Sequence, residues 1–555
     1  MDVCLGHPPR RWCDGRAGRA RGQGHPERGG RVSDTVIVIG AGHNGLVAAA
    51  LLARRGLRVR VIESRAVAGG LCAGEAFHPG YRHIGVHHDA STLRPWVARA
   101  LQLSTHGLSL RPPPPILVAG PGEHEGWVLP SLRGSSDPTE ALGSGPEPSL
   151  GEHQAGIHAL EALLTSVSPV LQGFLDNPAP SLDLSTPSWP VIQRALALRG
   201  LGARQMLELM RIAALPVDDA LAEYIPAPRL RAALALPALI GAYMGPWSPH
   251  SAGLWLLQGA QTASDVAGGP AELSRILEKV ATHHGAEILF EHEVERIRIE
   301  DGRVEGVVLR GGDEIDATVV VSSLEPRRTL LDLISPLDLP VQLEDEIRCH
   351  RVRATSAKLH LALSGLPRWS SAEGVFERIR VAGDPASLER AFDAAKHRRL
   401  PAAPALDVRV PTVSEPGLAP PGHHVASVHV LGVPYEPAGG WSPEVRRRLS
   451  DAALDQLEEV APGIGASVVG IELLTPPDLE ARFGISGGHL LHGEAALDQL
   501  WSLRPGPLLS RHETPIEGLF LASGGIHPGG GPSGASGALA ARAIQEADQR
   551  RGRRP

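Results

Sequence analysis

The sequence predicts an α/β fold: a Rossmann-like parallel sheet with a β-meander, and an interleaved α+β region. Three observations carry that expectation. An apolar run, Val36–Ile39, enters Gly40-Ala41-Gly42-His43-Asn44-Gly45, then a helical pattern from Leu46 to Arg55 and a second strand-like run, "RVRVIE". Much later, "AEILFEHEVERIRIEDGRVEGVVLRGGDEIDATVVVSS" alternates apolar and polar positions through the turn "EDGR" and closes on an apolar run. Near the end, "GLFLAS" precedes a dense glycine stretch and an alanine-rich helical pattern. Unbroken short apolar runs mark strands buried on both faces of a parallel sheet, and alternation marks half-buried antiparallel strands.

The first stretch specifies its own geometry. Gly40 permits the tight turn after the strand, and Gly42 lets a pyrophosphate approach the backbone. Gly45 lets the helix pack on the sheet, so that the amides around His43 and Asn44 face the phosphates. Gly56 stands just past the helix, where glycine is favoured. Glu63 closes the second strand about twenty residues past the glycines, where an acid accepts hydrogen bonds from a ribose. Strand, glycines, helix, strand and acid in that order form a dinucleotide fingerprint far stronger than GxGxxG alone. "ILVAGPGEHEGWVLP", from Ile116, also sets glycines after an apolar run, but a second strand-like run follows instead of a helix. It reads as a β-hairpin, which leaves one nucleotide fingerprint in the chain.

Composition narrows the function. The 555 residues are 42% hydrophobic with a formal net charge of -7, enough chain for two or three domains. That mildly acidic balance, without a basic stripe, argues against nucleic acid as the main partner. Cys4, Cys13, Cys72 and Cys349 form no CxxC pair, which leaves no dithiol chemistry and suits a reducing, cytoplasmic compartment. Residues 1–32 are rich in Arg and Gly and lack an apolar h-region, so a disordered leader, or a start assigned too early, is expected there. The uncharged stretch from Ala232 is cut by Pro237, Pro246 and Pro249 into pieces too short to span a bilayer. Peripheral membrane contact is the most that is expected.

Past Glu63, the order Glu63-Ser64-Arg65 and Gly69-Gly70 resembles the E-x-R-x-x-x-G-G segment of FAD enzymes related to amine oxidases and carotenoid desaturases. In that likeness Arg65 is a cation near the adenylate and Gly70 lets backbone pass under the cofactor. Leu71 stands where those enzymes carry a basic residue. Val294, in "EHEVERI", falls where they place a backbone contact to the adenine. Gly524, Gly525, Gly529, Gly530 and Gly531 lie between a strand end and a helix N-terminus, where open α/β sheets bind ligands, and are expected to leave room for an isoalloxazine. The dipole of the helix past Ser533 and Gly534 favours negative charge on a reduced flavin.

Four segments make the chain similar to the phytoene-desaturase-like FAD oxidoreductases. They are "GAGHNGLVAAA" from Gly40, "PTVSEPGLAPPGHH" from Pro411, "GGHLLHGEAALDQLWSLRP" from Gly487 and "GLFLASGGIHPGGGPSGASG" from Gly518. Gly525-Ile526 departs from the Gly-Thr more usual in relatives. The likeness covers nearly everything after residue 33 and implies a flavoprotein with non-covalent FAD. Its FAD-binding domain is expected in 33–90, 261–330 and 506–549, with a substrate domain in 91–260 and 331–505. Fingerprint and resemblance together put the FAD contacts at Gly40, Gly42, His43, Asn44, Gly45, Glu63, Arg65, Gly70, Val294, Gly525, Ser533 and Gly534.

On the substrate side, the stretch from Ala232 either lines an apolar pocket suited to a lipid-like small molecule or is ordinary core. His83, His87, His88 and Asp89 lack a metal-ligand spacing, so no metal is expected. His492 is the candidate catalytic acid or base, or else a structural group that orients Glu494. His527 is expected to hold the glycine loop in shape. The expected reaction passes a hydride from a C–H bond of an apolar substrate to flavin N5. With one nucleotide fold, oxygen, a quinone or another carrier would reoxidise the flavin. Two other readings stay open: a flavin-dependent isomerase without net redox, and a non-catalytic interaction protein stabilised by FAD.

Overall fold

The apolar run at the fingerprint becomes the middle strand of a five-stranded parallel sheet. Its order is Leu519–Leu521, Val319–Ser322, Thr35–Ile39, Arg58–Ile62, Glu287–Leu289, and every neighbouring pair runs parallel. Thr35–Ile39 is buried along its whole length, as an unbroken Val/Ile run requires. The computed structural model describes residues 35–120, 126–130, 132, 150–180, 189–261 and 264–552; the expected leader, 1–32, lies outside them.

Three helices cover one face of this sheet: His43–Ala53, Gly269–His283 and Ala535–Gly552. They share one core, in which Leu46, Ala49 and Leu52 meet Leu273, Ile276 and Val280, and Ala538, Ala541 and Ile544. The alanine richness of the last helix has a steric reason. A side chain at Gly537 would overlap the Asn44 carbonyl, so the two backbones run close enough to admit only small residues. Val294–Glu300, Arg303–Leu309 and Glu314–Asp316 form the antiparallel meander that alternation predicts, and the chain then enters the parallel strand Val319–Ser322.

The expected hairpin is present, with Ile116–Ala119 antiparallel to Trp127–Leu129. It extends a seven-stranded sheet ordered Val468–Leu474, Ser356–Leu363, His424–Leu431, Leu406–Arg409, Arg378–Val381, Ile116–Ala119, Trp127–Leu129. One face of that sheet is apolar: Leu359, Leu361, Ile379, Leu406, Val408, Val428 and Val430 pack with Leu449, Ala453 and Leu457 of the helix Pro443–Val460. The alternate positions, Lys358, His360, Arg378, Arg380, Asp407, Arg409, Ser427 and His429, are polar and also buried. Half-polar strands normally turn their polar face to water. Here that face meets residues 83–94 and the helices Gln154–Leu175, Pro228–Leu239 and Ser251–Gln261.

The uncharged stretch from Ala232 supplies parts of the last two of those helices, whose apolar residues join one core with Ile116, Val118 and Leu129. Among the described residues, no helix is long and apolar enough to cross a membrane.

Candidate functional site

A cavity of about 260 Å³ opens where Thr35–Ile39 and Arg58–Ile62 end, and its walls include Gly40, Gly42, His43, Asn44, Glu63, Arg65, Gly70, Val294 and His492. The three fingerprint glycines do different things. Gly40 has φ 89°, a left-handed conformation that favours glycine. A side chain at Gly45 would overlap the Gly40 carbonyl and come 2.8 Å from Ser323 Oγ, so Gly45 serves helix–sheet packing and does not itself line the cavity. At Gly42 a Cβ would meet nothing within 4 Å, and φ -66° suits any residue. Gly42 therefore looks onto open space, beside the helix N-terminus that begins at His43.

The polar groups of this cavity are part satisfied and part waiting. Glu63 accepts the Ala41 N–H at 2.7 Å and the Arg65 N–H at 3.0 Å, which ties the glycine turn to the second strand. Arg65 pairs with Glu75 and stacks 4.7 Å from the Phe483 ring. Its Nη1 is buried without a partner, as is Nε2 of His43. Burial pushes His43 down to about 4, so its ring is neutral at neutral pH.

Leu71 is buried in an apolar cluster with Val86, Leu474 and Ile485. Arg328 and Arg482 line the cavity and bring the additional cations; Arg482 shares Glu75 with Arg65. Sequence reasoning missed both, as well as Ser323 and Glu325 on the same walls. Ser323 Oγ lies 2.9 Å from the carbonyls of Ile39 and Gly40. The available signal was positional: "SSLEPRR" follows directly on a parallel strand, at the edge where open α/β sheets bind ligands.

His492 also lines this cavity, with its Nδ1 3.0 Å from Ser523 Oγ. It does not orient Glu494, whose carboxylate is taken by Arg351 and Arg353. Burial, reinforced by nearby His43, His489 and Arg504, pushes His492 down to about 3. Its segment is held by Arg504, which donates to the carbonyls of Leu491, Gly493 and Gly524. His527 does anchor the glycine loop, with Nε2 2.9 Å from the Asn177 carbonyl.

The glycine loop is less open than expected. A side chain at Gly525 would overlap Pro326 and the His492 carbonyl, so this glycine is needed for close packing. Gly534 (φ 70°) meets Val97 and Val47, and the Ser533 carbonyl accepts the Arg94 N–H at 3.0 Å. These three line neither this cavity nor the next. Gly530 and Gly531 line a second cavity of about 160 Å³ whose walls also include His87, Asp407, His429, Leu234 and Trp255. A Cβ at Gly530 would come 2.7 Å from Gln261 Oε1, whereas one at Gly531 would meet Thr92 Oγ1 only at ordinary contact distance. His87, from the second cavity, feels both His43 and His492, from the first, so the two spaces approach each other at these rings.

The histidine cluster divides. Lys358 Nζ lies 3.0 Å from His88 Nδ1, and His88 Nε2 lies 3.4 Å from Asp407. His83 instead stacks on His360 with ring centroids 4.2 Å apart, near Glu472. His83 Nδ1 accepts the Gly85 N–H at 3.0 Å, which leaves the ring proton on Nε2 and takes that nitrogen out of a metal-ligand set.

Residues 38–99 match the model of the NAD(P)-binding Rossmann-like domain. A rat protein, pyridine nucleotide-disulfide oxidoreductase domain-containing protein 2, is 33% identical over 548 residues, covering 92% of each chain. The chain belongs to that family. The phytoene desaturase (lycopene-forming) of a Paracoccus species is 26% identical over 52% of this chain and 54% of its own. A putrescine oxidase structure with bound putrescine shares the fold, with a TM-score of 0.58 at 15% identity over 93% of this chain and 99% of its own. This member of the pyridine nucleotide-disulfide oxidoreductase domain-containing protein 2 family is thus an oxidoreductase of the flavin type.

The disulfide of the family's name has no counterpart among the described cysteines, since Cys72 and Cys349 are both free. Cys72 lies 3.7 Å from His43 Nδ1, but burial pushes its thiol up to about 12, so it carries no thiolate at neutral pH. Cys72→Ser is expected to keep cofactor content and turnover at the parent level. Loss of turnover with the cofactor retained would restore a thiol mechanism.

Proposed function

We propose that the chain binds one FAD, non-covalently, and oxidises a small, mainly apolar substrate by taking a hydride from a C–H bond. The observation that carries the FAD reading is the first cavity. An open cradle at Gly42 adjoins a helix N-terminus, two orphaned buried nitrogens and the Glu63 carboxylate. The N-terminus of the helix that begins at His43 and its dipole suit a pyrophosphate. His43 Nε2 and Arg65 Nη1 are the unmet polar groups beside it, and Glu63 keeps lone pairs for ribose hydroxyls. Bound there, FAD would supply a two-electron acceptor at N5. Acid precipitation of the purified yellow protein should release one flavin per chain to the supernatant, and anaerobic addition of substrate should bleach it. Colour left in the pellet would exclude the non-covalent reading.

His492 is better suited to donate a hydrogen bond than to move a proton. Ser523 Oγ accepts from the Gly525 N–H at 3.0 Å and lies 3.0 Å from His492 Nδ1; with the hydroxyl donating to Nδ1, the imidazole proton is on Nε2. With its pKa near 3, the ring is protonated in only about one molecule in 10⁴ at pH 7, far from the match that acid–base catalysis needs. His492→Gln, which keeps a donor, is therefore expected to retain flavin reduction within about fivefold. His492→Ala should slow it by about tenfold or more, the scale of one lost hydrogen bond. Stopped-flow reduction separates the cases. A loss of about 10²–10⁴-fold in both variants would instead mark a proton-transfer role.

The second cavity is our candidate for the substrate. It adjoins the glycine loop at Gly530 and Gly531 and is walled on one side by Leu164, Leu234, Ile240 and Trp255. Leu234, Pro237, Ile240 and Trp255 all come from the uncharged stretch, which thus serves as core and as wall at once.

A further inference from the structure

The substrate cavity has an apolar wall and a polar wall, and the polar wall lacks one kind of group. Its charges are already matched: Arg378 pairs with Asp89 at 2.8 Å, and Arg380 faces Asp407 through its Nε at 3.8 Å, an ion pair too long to be a hydrogen bond. Its hydrogen-bond donors are not. Thr92 Oγ1, Arg380 Nε and His429 Nδ1 are buried and unpartnered, and all three residues line this cavity at 7%, 6% and 4% exposure.

Each of the three is a donor. An arginine Nε carries a hydrogen and no lone pair, and a threonine hydroxyl can turn its own. For His429 the network decides the tautomer. Lys358 Nζ lies 3.4 Å from His429 Nε2 and 3.0 Å from His88 Nδ1. Burial holds Lys358 well below its usual range, but its amine form still carries two hydrogens. Donating one to each nitrogen, it leaves the His429 ring proton on Nδ1, and the His88 proton on Nε2 toward Asp407. A buried donor without an acceptor is unfavourable, and several on one cavity wall mark the place of a ligand's acceptor.

We propose that the cavity takes a neutral carbonyl compound, its oxygen accepting from the Arg380, Thr92 and His429 wall and its carbon body lying against Leu164, Leu234 and Trp255. This rests on the reading above only in taking this cavity as the substrate's. Neutrality follows from the matched ion pairs: an anion would bring an uncompensated charge to a wall that already buries Asp89 and Asp407. Size follows from the volume. A space of about 160 Å³ holds a body of roughly benzene size, since an apolar cavity of about 150 Å³ takes up benzene. That restricts the enclosed part of the ligand to about six to ten carbons.

The test compares acetophenone, benzoate and ethylbenzene on the flavin-loaded protein, by calorimetry and by perturbation of the flavin absorbance. The three share a ring and differ in the head: neutral acceptor, anion and no acceptor. Acetophenone is expected to bind at least tenfold more tightly than either of the others. Thr92→Val, which is isosteric, should weaken acetophenone by about fivefold to tenfold and leave ethylbenzene unchanged; Arg380→Met should do the same more strongly. Preference for benzoate, or equal binding of acetophenone and ethylbenzene, overturns the proposal. Tight acetophenone binding without any change in the flavin spectrum upholds the carbonyl assignment. It would instead remove this cavity from the flavin reaction. A protein that holds no flavin defeats the FAD reading alone, because calorimetry still measures the ligand preference.

Discussion

Gly42→Val is expected to fold and to purify without flavin. The backbone at this position has φ -66°, so valine imposes no conformational strain, and its Cβ would meet no protein atom within 4 Å. The new methyl groups enter the open space beside the helix N-terminus, where a pyrophosphate would lie. Two lost charge-assisted hydrogen bonds, at about 1.5–3 kcal/mol each, weaken binding by about 10²–10⁴-fold. Flavin absorbance per chain and the unfolding midpoint measured with and without added FAD check both halves of the claim. A yellow Gly42→Val protein would place the cofactor elsewhere. Gly45→Val is the contrasting case: its side chain would overlap the Gly40 carbonyl, and insoluble protein is the expected outcome.

The second large effect is loss of stability in mild acid. Burial depresses eight histidines to values near 3 or 4: His43, His350 and His512 to about 4, and His83, His87, His489, His492 and His527 to about 3. Between these values and the ordinary 6.5, the unfolded chain binds protons that the folded one refuses. Stability is therefore complete above about pH 6.5 and falls as the pH drops below it. Each such histidine removes about 1.4 kcal/mol per pH unit in that window. Three of the eight acting fully would remove about 4 kcal/mol per unit, a large share of a stability of about 5–15 kcal/mol. Glu161, Glu278, Glu325 and Glu346 act in the opposite sense, because burial raises their carboxyls, but they start from the ordinary carboxylate range and so offset the histidines chiefly at the lower end of that window. A melting temperature that stays level from pH 7.5 to pH 5 would contradict this account.

The parallel sheet was legible because its strands are short, unbroken apolar runs, and because the glycines between strand and helix have a steric reason visible in their spacing. Gly40, Gly42 and Gly45 each stand where that reasoning puts them. The hairpin at Ile116 and the meander were legible for the same kind of reason, turn residues between runs of period two. The C-terminal glycine loop was legible only in part. Its place between strand and helix was plain, but Gly525 is filled by Pro326 and Gly529 by Arg504, residues far enough away in sequence that no local pattern announces them. Arg482 is similar: it reaches Glu75 across 407 positions.

What the sequence determined by itself is the nucleotide end: the strand, the turn, the helix and the acid that closes them, because each rests on contacts within a few tens of residues. What tertiary structure alone decided is the other wall of the site. "RIRV", "LDVR" and "SVHV" alternate like strands with one face in water. Residues 83–94 and the helices beyond Gln154 cover that face and turn Arg378, Arg380, Asp407 and His429 inward. Once buried, those side chains must pair with one another or await a ligand, and which of them do so depends on neighbours that alternation cannot name.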